Sequence, residues 1–217
     1  MRLDAHQSFT PEHIPEDLGP ILKRNKFEGS IAVARDAAET RQFLEFAARH
    51  EFIRGVVGCG GEGHPKFVGD SRFEVEDAAE ALRLAQDNTE RKIAIVRLGS
   101  PPVGREGADA WAESIARAAA NPRVFCKASG LLSLVPRPWK AEPLRPFVQH
   151  VLRAFGPSRV MFGSDWPSCL PDAIWKETLA MFTQAIGPQT MDVREELLGG
   201  AAARFYSVTP AVLPPAC

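Results

Sequence analysis

Short apolar runs alternate with segments of helical periodicity along almost the whole chain. The apolar, β-prone runs predict seven strands, over residues 1–6, 30–34, 55–59, 66–70, 92–96, 124–128 and 160–162. Apolar residues three or four positions apart predict seven helices, over residues 15–26, 37–50, 75–91, 108–120, 144–155, 174–186 and 194–205. Strands that alternate with helices of about 10–15 residues indicate a parallel sheet.

A parallel sheet of this kind is either an open doubly wound sheet or a closed barrel. No GxGxxG motif follows the first strand and no GxxxxGK[ST] motif occurs, so the nucleotide-binding open sheets lose support. We therefore predict an α/β fold, a TIM-like (β/α) barrel with about seven parallel strands. Residues 1–208 are expected to form a single domain, and residues 209–217 a proline-containing tail.

Charge and cysteine content exclude several classes of function. The 217 residues carry a net charge of −1, so no basic surface is available for nucleic acid or an anionic membrane. The four cysteines lack CxxC or CxxH spacing, which argues against a structural zinc site. No apolar run approaches the ~18 residues that span a bilayer, and no signal peptide precedes Asp4. We expect a cytoplasmic protein.

Two polar residues stand at predicted strand ends. Asp165 follows the run 160–162 after a Gly-Ser pair, and Trp166 comes directly after it. Ligands of parallel α/β proteins bind at the C-terminal ends of the strands, so this carboxylate is placed to act as a base or a metal ligand. Capping the next helix is its alternative role. His6 ends the first strand, and Asp4, two residues earlier, is expected on the same face.

Several short motifs occur in a characteristic order along the chain. They are Asp4-Ala-His-Gln, Ala38-Glu-Thr-Arg41, Gly55-Val-Val-Gly58, Pro65-Lys-Phe-Val-Gly69, Leu98-Gly99 with Pro101, Lys127-Ala-Ser-Gly-Leu131, Phe162-Gly-Ser-Asp-Trp-Pro167 and Gly199-Gly-Ala-Ala-Ala-Arg-Phe-Tyr206. With these motifs the chain resembles the amidohydrolase-2 family of metal-dependent hydrolases, in particular its sugar-lactone and 2-pyrone-4,6-dicarboxylate lactonases. The resemblance implies a TIM-like barrel whose site, at the C-terminal face, hydrolyses a lactone or a related ester or amide.

The resemblance also implies a divalent metal such as zinc, and His6 and Asp165 match two of the family's ligands. Ser8 and Arg97 stand where the family has histidines, and segment 69–72 reads Gly-Asp-Ser-Arg in place of Gly-Ile-Arg-His. About one βα unit is missing after this segment, and the chain is short beside the ~250 residues of a typical barrel. A catalytic zinc site takes three protein ligands and water, so metal-bound and metal-free chemistry both stay open.

Without a metal, a lactone can be opened by a base together with a cation that holds the developing oxyanion. Asp165 is the predicted base, and His6 orients the water or shares its proton. The candidates for polarising the carbonyl or binding substrate carboxylates are Arg97, Arg72 and Lys127. Trp166 is predicted to stack on a sugar or pyrone ring. The structural alternatives are a salt bridge at the barrel mouth for Arg97, a buried ion pair for Lys127 and core packing for Trp166.

The predicted function is hydrolysis of a small-molecule lactone. The alternative is a catalytically silent member of the fold that serves as a binding or assembly module, which the combined loss of ligands and of one βα unit favours. A lyase on the same barrel has no support, since no Schiff-base lysine stands out. A barrel that lacks one unit exposes strand edges, so a homodimer is also expected.

Overall fold

The computed structural model describes residues 1–70, 73–171 and 173–209. Its strands are all parallel and form two four-stranded ladders, β1 to β4 and β5 to β8. The strands are β1 (Leu3–Gln7), β2 (Gly29–Val33), β3 (Ile53–Gly58), β4 (Phe67–Asp70), β5 (Glu74–Val75), β6 (Ile93–Ile95), β7 (Val124–Ala128) and β8 (Val160–Phe162).

The helices are α1 (Pro15–Arg24), α2 (Ala37–Arg49), α3 (Ala78–Asp87), α4 (Ala108–Ala119), α5 (Arg145–Phe155), α6 (Trp175–Ile186), α7 (Met191–Glu195) and α8 (Ala201–Tyr206). Helices α1 to α6 each bury one apolar stripe, whereas α7 has no buried residue. Local sequence fixes their ends. The Asp36 side chain accepts backbone hydrogen bonds at the start of α2, Asp77 does the same for α3, and Gly156 ends α5 with a positive φ.

The two ladders meet where β8 lies beside β1. The amide of Ser8 donates to the carbonyl of Trp166 at 2.8 Å, and the amide of Asp165 donates to the carbonyl of His6 at 2.9 Å. No hydrogen-bonded ladder joins β4 to β5 within the described residues. These features confirm the prediction of a TIM-like α/β barrel, shortened between β4 and β5.

The prediction of about seven strands needs a correction, because Glu74–Val75 forms an eighth strand, β5. Two residues are too few to produce an alternating pattern, and the helix predicted over residues 75–91 includes Val75. That helix begins only at Ala78, after the Asp77 cap. Three residues connect β4 to β5, so the helix that would join them in a complete barrel is absent.

The C-terminal helix α8 closes the barrel interior from below. It packs against inward-facing strand residues such as Leu3, Ile31 and Phe125. The helix predicted over residues 194–205 is broken by a wide turn at Glu196–Gly200. A Cβ at Gly199 would lie 2.2 Å from the carbonyl oxygen of Met1, so only glycine lets this turn pass beneath the start of β1.

The lower wall has a notch beside the short strand β5. Phe73 and Phe205 pack there edge to face, with ring centroids 6.5 Å apart.

Among the described helices, none is both long and apolar enough to cross a membrane. The predicted tail lies outside the described residues from position 210 onward.

Candidate active site

A bulge in β1 turns His6 into the mouth of the barrel. β1 contains one residue more than β2 over the paired stretch that ends at Gln7, and such a bulge re-aims the side chains beside it. Ala5 packs in the barrel interior, and His6 also faces inward. Asp4 instead points outward, to Trp175 on α6. The prediction that Asp4 and His6 share one face was therefore wrong.

Asp4 fastens β1 to the turn that carries Asp165. The Oδ1 atom of Asp4 accepts from the amide of Ser164 at 2.8 Å and from the amide of His6 at 3.2 Å. Its Oδ2 atom accepts from Nε1 of Trp175 at 2.9 Å. Burial raises the pKa of Asp4, and these hydrogen bonds act against that rise. Asp4 thus orders the backbone on both sides of the site.

Asp165 lies at the C-terminal end of β8 with a left-handed φ of 61°, a conformation that is uncommon for a non-glycine residue and clusters at functional sites. Its side chain is 23% exposed, and its Oδ1 atom is 3.6 Å from Nε2 of His6. Burial raises the pKa of Asp165, although the charges of His6, Arg97 and Lys127 oppose this. The alternative role as helix cap fails, because Ile174 occupies the cap position of α6.

Arg97 lies on the turn after β6, also with a left-handed φ of 52°. Its Nη2 atom donates to Oγ of Ser133 at 3.0 Å, and its Nε atom is 3.8 Å from Oε1 of Glu76. The salt bridge proposed as its structural alternative is therefore present. Arg97 and Asp165 both lie close to Gly130, which has no side chain to separate them. A Cβ added at Gly130 would lie 3.2 Å from Oδ2 of Asp165 and 3.5 Å from Nη1 of Arg97.

A cleft of about 480 Å³ opens beside Arg97, and its lining includes Ser100, Arg105, Ser133 and Pro136. Ser133 also lines a very small cavity, of about 10 Å³, that Asp165 lines as well. The carboxylate therefore adjoins a cleft whose size suits a small molecule. Arg97 and Arg105 make this cleft attractive to an anionic group.

A buried ionic cluster lies behind His6. Nζ of Lys127 on β7 is 2.5 Å from Oε1 of Glu74 on β5, and 3.3 Å from Nδ1 of His6. The Tyr206 hydroxyl on α8 donates to the same Glu74 oxygen at 2.7 Å. Burial opposes ionisation of Glu74, but Lys127 and His6 outweigh it, so the pKa of Glu74 lies well below its usual range. We call Glu74, Lys127 and Tyr206 the buried cluster.

Two of the predicted substrate contacts are corrected by burial. Lys127 has no exposed side-chain surface and lies in a buried ion pair, its structural alternative, so it does not contact a substrate directly. Trp166 is 1% exposed and packs edge-on against Phe9 and His13, so its ring presents no face to a sugar. Arg72 lies outside the described residues.

Sequence reasoning missed Glu74 and Tyr206. Glu74 belongs to a strand of two residues, and its partners are more than fifty positions away, so no local pattern marks it. Tyr206 is the only tyrosine of the chain and ends a recognisable motif, which was a usable signal. Burial, then the neighbouring Glu74 carboxylate, raises the pKa of Tyr206 well above its ordinary value.

The described residues do not fit the metal that the resemblance implies. In residues 1–70, 73–171 and 173–209, no three His, Cys, Asp or Glu side chains are grouped to hold a metal ion. Asp165 faces Nε2 of His6, whereas Glu74 faces Nδ1, so the two carboxylates lie on opposite sides of the ring. Lys127 contacts Glu74, and the charge of Arg97 acts on Asp165, so both carboxylates already face a cationic side chain. These two cations would repel a divalent cation placed beside the carboxylates.

The chain belongs to the amidohydrolase family, whose model matches residues 22–208. It is 27% identical to the L-fucono-1,5-lactonase of Burkholderia ambifaria, in an alignment that covers 95% of this chain and 96% of the relative. It is 29% identical to the L-fucono-1,5-lactonase of Burkholderia multivorans over 84% of this chain and 64% of that relative. The first alignment spans 281 positions, so that relative has internal positions without a counterpart in these 217 residues.

Solved structures support the barrel. An amidohydrolase of Burkholderia multivorans, crystallised with bound Hepes and with bound zinc, superposes with a TM-score of 0.85 at 24% identity, covering 96% of this chain and 100% of that one. A putative 2-pyrone-4,6-dicarboxylic acid hydrolase of Pseudomonas putida superposes with a TM-score of 0.67 at 17% identity, over 95% and 97% of the two chains. At these identities the likeness shows a shared fold.

Proposed function

We propose that this protein hydrolyses a lactone, with Asp165 as the general base. The observation that carries the proposal is the position of Asp165, which lies at the C-terminal end of β8, mostly buried, next to His6 and beside a cleft for a small molecule. A carboxylate whose pKa is raised by burial accepts a proton more readily at neutral pH than an ordinary aspartate.

The reaction needs water, a base and donors for one oxyanion. Asp165 takes a proton from water while the water oxygen bonds to the carbonyl carbon, and the carbonyl electron pair moves to oxygen. When the carbonyl double bond re-forms, the ring C–O bond breaks, and Asp165 returns its proton to the leaving alkoxide. Lactone and water thus become one hydroxy acid, and Asp165 is again ionised.

His6 and Arg97 are the proposed donors to the oxyanion. Nε2 of His6 lies on the Asp165 side of the ring, and Arg97 approaches Asp165 across Gly130. Arg97 and Arg105 in the cleft also favour a substrate that carries a carboxylate or several hydroxyl groups. The two L-fucono-1,5-lactonases among the relatives support a sugar-acid lactone as the substrate class.

The test is a panel of sugar-acid lactones and pyrone carboxylates, with release of the hydroxy acid measured for the wild type and for Asp165→Asn. Asparagine keeps the shape but removes the base, so the rate should fall by about 10²–10⁴-fold. Asp77→Asn is the matched control, because the Asp77 side chain caps α3 by accepting a hydrogen bond from the amide of Glu80. It should retain the full rate.

Two results would contradict the proposal. If Asp165→Asn retains the wild-type rate of hydrolysis, Asp165 is not the general base. A panel without turnover, combined with saturable binding of one of its members, would instead support the binding-module alternative.

A further inference from the structure

The chain that follows β6 forms a single left-handed turn over residues 97–100. All four residues have a positive φ, of 52° at Arg97, 57° at Leu98, 71° at Gly99 and 48° at Ser100. Glycine adopts this conformation readily, whereas any other residue crowds its side chain against the following carbonyl oxygen. Three of the four residues are not glycine, so the turn is strained and its surroundings must hold it. We call residues 97–100 the left-handed turn.

Trp111 on α4 holds the left-handed turn through two hydrogen bonds. Its Nε1 atom donates to the carbonyl oxygens of Leu98 and Gly99, each at 3.1 Å. The Leu98 side chain is fully buried, and a Cβ at Gly99 would lie 3.0 Å from Cδ1 of Ile115, also on α4. The turn is therefore fitted against α4, and the indole of Trp111 satisfies two of its carbonyl groups.

The guanidinium group at the far end of the Arg97 side chain is held as well. Its Nη2 atom donates to Oγ of Ser133 at 3.0 Å. That hydroxyl donates its one hydrogen to the carbonyl of Gly130 at 2.7 Å, so it can only accept from Arg97. The carboxylate of Glu76 lies 3.8 Å from Nε of Arg97. Backbone and side chain together fix the guanidinium group beside Asp165.

We propose that Trp111 is a positioning residue that holds the left-handed turn and thereby presents the guanidinium group of Arg97 to the oxyanion. A donor that is aimed in advance stabilises the developing charge without reorganising during the reaction. Trp111 is not among the residues that line the cleft, so it acts through Arg97 and not on the substrate. This catalytic role rests on the proposed lactone hydrolysis, whereas the conformation of the turn can be measured without any activity.

The first test is the backbone conformation of residues 97–100 in solution. The NMR coupling between the amide and α protons of a residue depends on its φ. We expect positive φ values at Arg97, Leu98 and Ser100 in the wild type. Trp111→Phe keeps an aromatic ring but removes the N–H donor, so these couplings should change toward those of an averaged backbone. Negative φ values in the wild type would overturn the proposal, and so would unchanged couplings in Trp111→Phe.

His150→Phe is the matched control. The His150 ring lies against the ring of Trp111, with centroids 5.4 Å apart, and its Nε2 atom donates to the carbonyl of Ala112 on α4 at 3.0 Å. The variant therefore removes a nitrogen donor from a backbone carbonyl next to Trp111, but it leaves both bonds to the turn in place. The couplings of residues 97–100 and kcat should match the wild type. Equal effects of His150→Phe and Trp111→Phe would overturn the proposal, because Trp111 would then act through packing alone.

Kinetics test whether Trp111 acts through Arg97. Misplacing a catalytic group by about 1 Å can cost about 10²-fold in rate, so Trp111→Phe should lower kcat by up to about 10²-fold and change KM less. In an Arg97→Gln background, Trp111→Phe should lower kcat no further, because the group that it positions is already gone. Losses that multiply in the double variant would overturn the positioning role.

A second variant approaches Arg97 from its other end. Ser133→Ala removes the acceptor of Nη2 at an exposed position, where the fold does not depend on it. It should lower kcat in the same direction as Trp111→Phe, and again have no further effect in the Arg97→Gln background. An unchanged kcat in both Ser133→Ala and Trp111→Phe would overturn the view that a fixed Arg97 matters.

The further inference and the proposed function fail separately. A turn that is lost in Trp111→Phe with no change in kcat would overturn the catalytic role of Trp111 and leave the lactonase proposal intact. A wild type that turns over no lactone of the panel would overturn the lactonase proposal together with that catalytic role. The couplings of residues 97–100 would still decide whether Trp111 holds the turn.

Discussion

Replacing Glu74 by glutamine should strongly destabilise the protein. The variant keeps the shape of the side chain but leaves the Lys127 ammonium fully buried without its counter-ion. Removing one partner of a buried ion pair costs about 3–5 kcal/mol. For a chain of this size, each kcal/mol lowers Tm by about 2–4 °C, so Tm should fall by roughly 6–20 °C. Urea unfolding followed by tryptophan fluorescence measures the free-energy change directly.

Two further variants make the test specific. Glu196→Gln breaks an exposed ion pair with Arg204 and should cost only about 0–1 kcal/mol. Glu74→Gln combined with Lys127→Met removes both charges, so the double variant should recover much of the stability lost in Glu74→Gln.

The pH dependence of the loss is also predicted. Burial already lowers the folded-state pKa of Lys127 in the wild type, and Glu74 opposes this, so in Glu74→Gln the pKa falls further below its unfolded value. The unfolded state then binds protons more readily than the folded state, and the loss shrinks as pH rises. A Glu74→Gln variant that loses no more stability than Glu196→Gln would refute the reasoning. That result would mean that the pair carries no buried charge.

Three further predictions concern the site itself. Burial raises the folded-state pKa of Asp165 above its unfolded value of 3.8, so ionisation reduces stability as pH rises between those two values. Asp165→Asn should therefore have a neutral-pH Tm equal to or above that of the wild type, and a lower Tm would contradict this. Trp166→Ala should lower the free energy of unfolding by about 3–5 kcal/mol, as for other buried aromatic residues. The conservative variant Trp166→Phe should leave KM unchanged. A raised KM in Trp166→Phe would show that Trp166 contacts the substrate. Gly130→Ala should lower kcat/KM because the added methyl group enters the site. Gly104→Ala is the control for backbone strain, because Gly104 has a similar φ but open space around it. Equal kcat/KM values in the two variants would contradict the prediction.

The elements that could be predicted are those whose own residues determine them. β8 is a continuous apolar run and β7 is apolar except for Lys127, and the predicted limits of both strands match the observed ones. α2 follows from its apolar spacing and its Asp36 cap. β5 could not be predicted, because two residues show no periodicity and only the neighbouring strand β6 defines them.

The candidate site was predictable only in part, for a similar reason. Asp165 and His6 stand at strand ends, and the order of the strands brings them together. The direction of His6 depends on a bulge that the alternation rule does not anticipate. Lys127 looked like a substrate contact because its partners, Glu74 and Tyr206, come from distant parts of the chain and meet only when the barrel closes.

The most direct measurement is the rate of lactone hydrolysis by protein treated with a chelator, with the metal content determined on the same sample. If Asp165 activates the water and Lys127 and Arg97 supply the nearby positive charge, no metal is needed for the reaction. The metal-depleted wild type should then retain its full kcat/KM, and Asp165→Asn should lose about 10²–10⁴-fold under the same conditions. A wild-type rate that falls with the metal content and returns when zinc is added would contradict it.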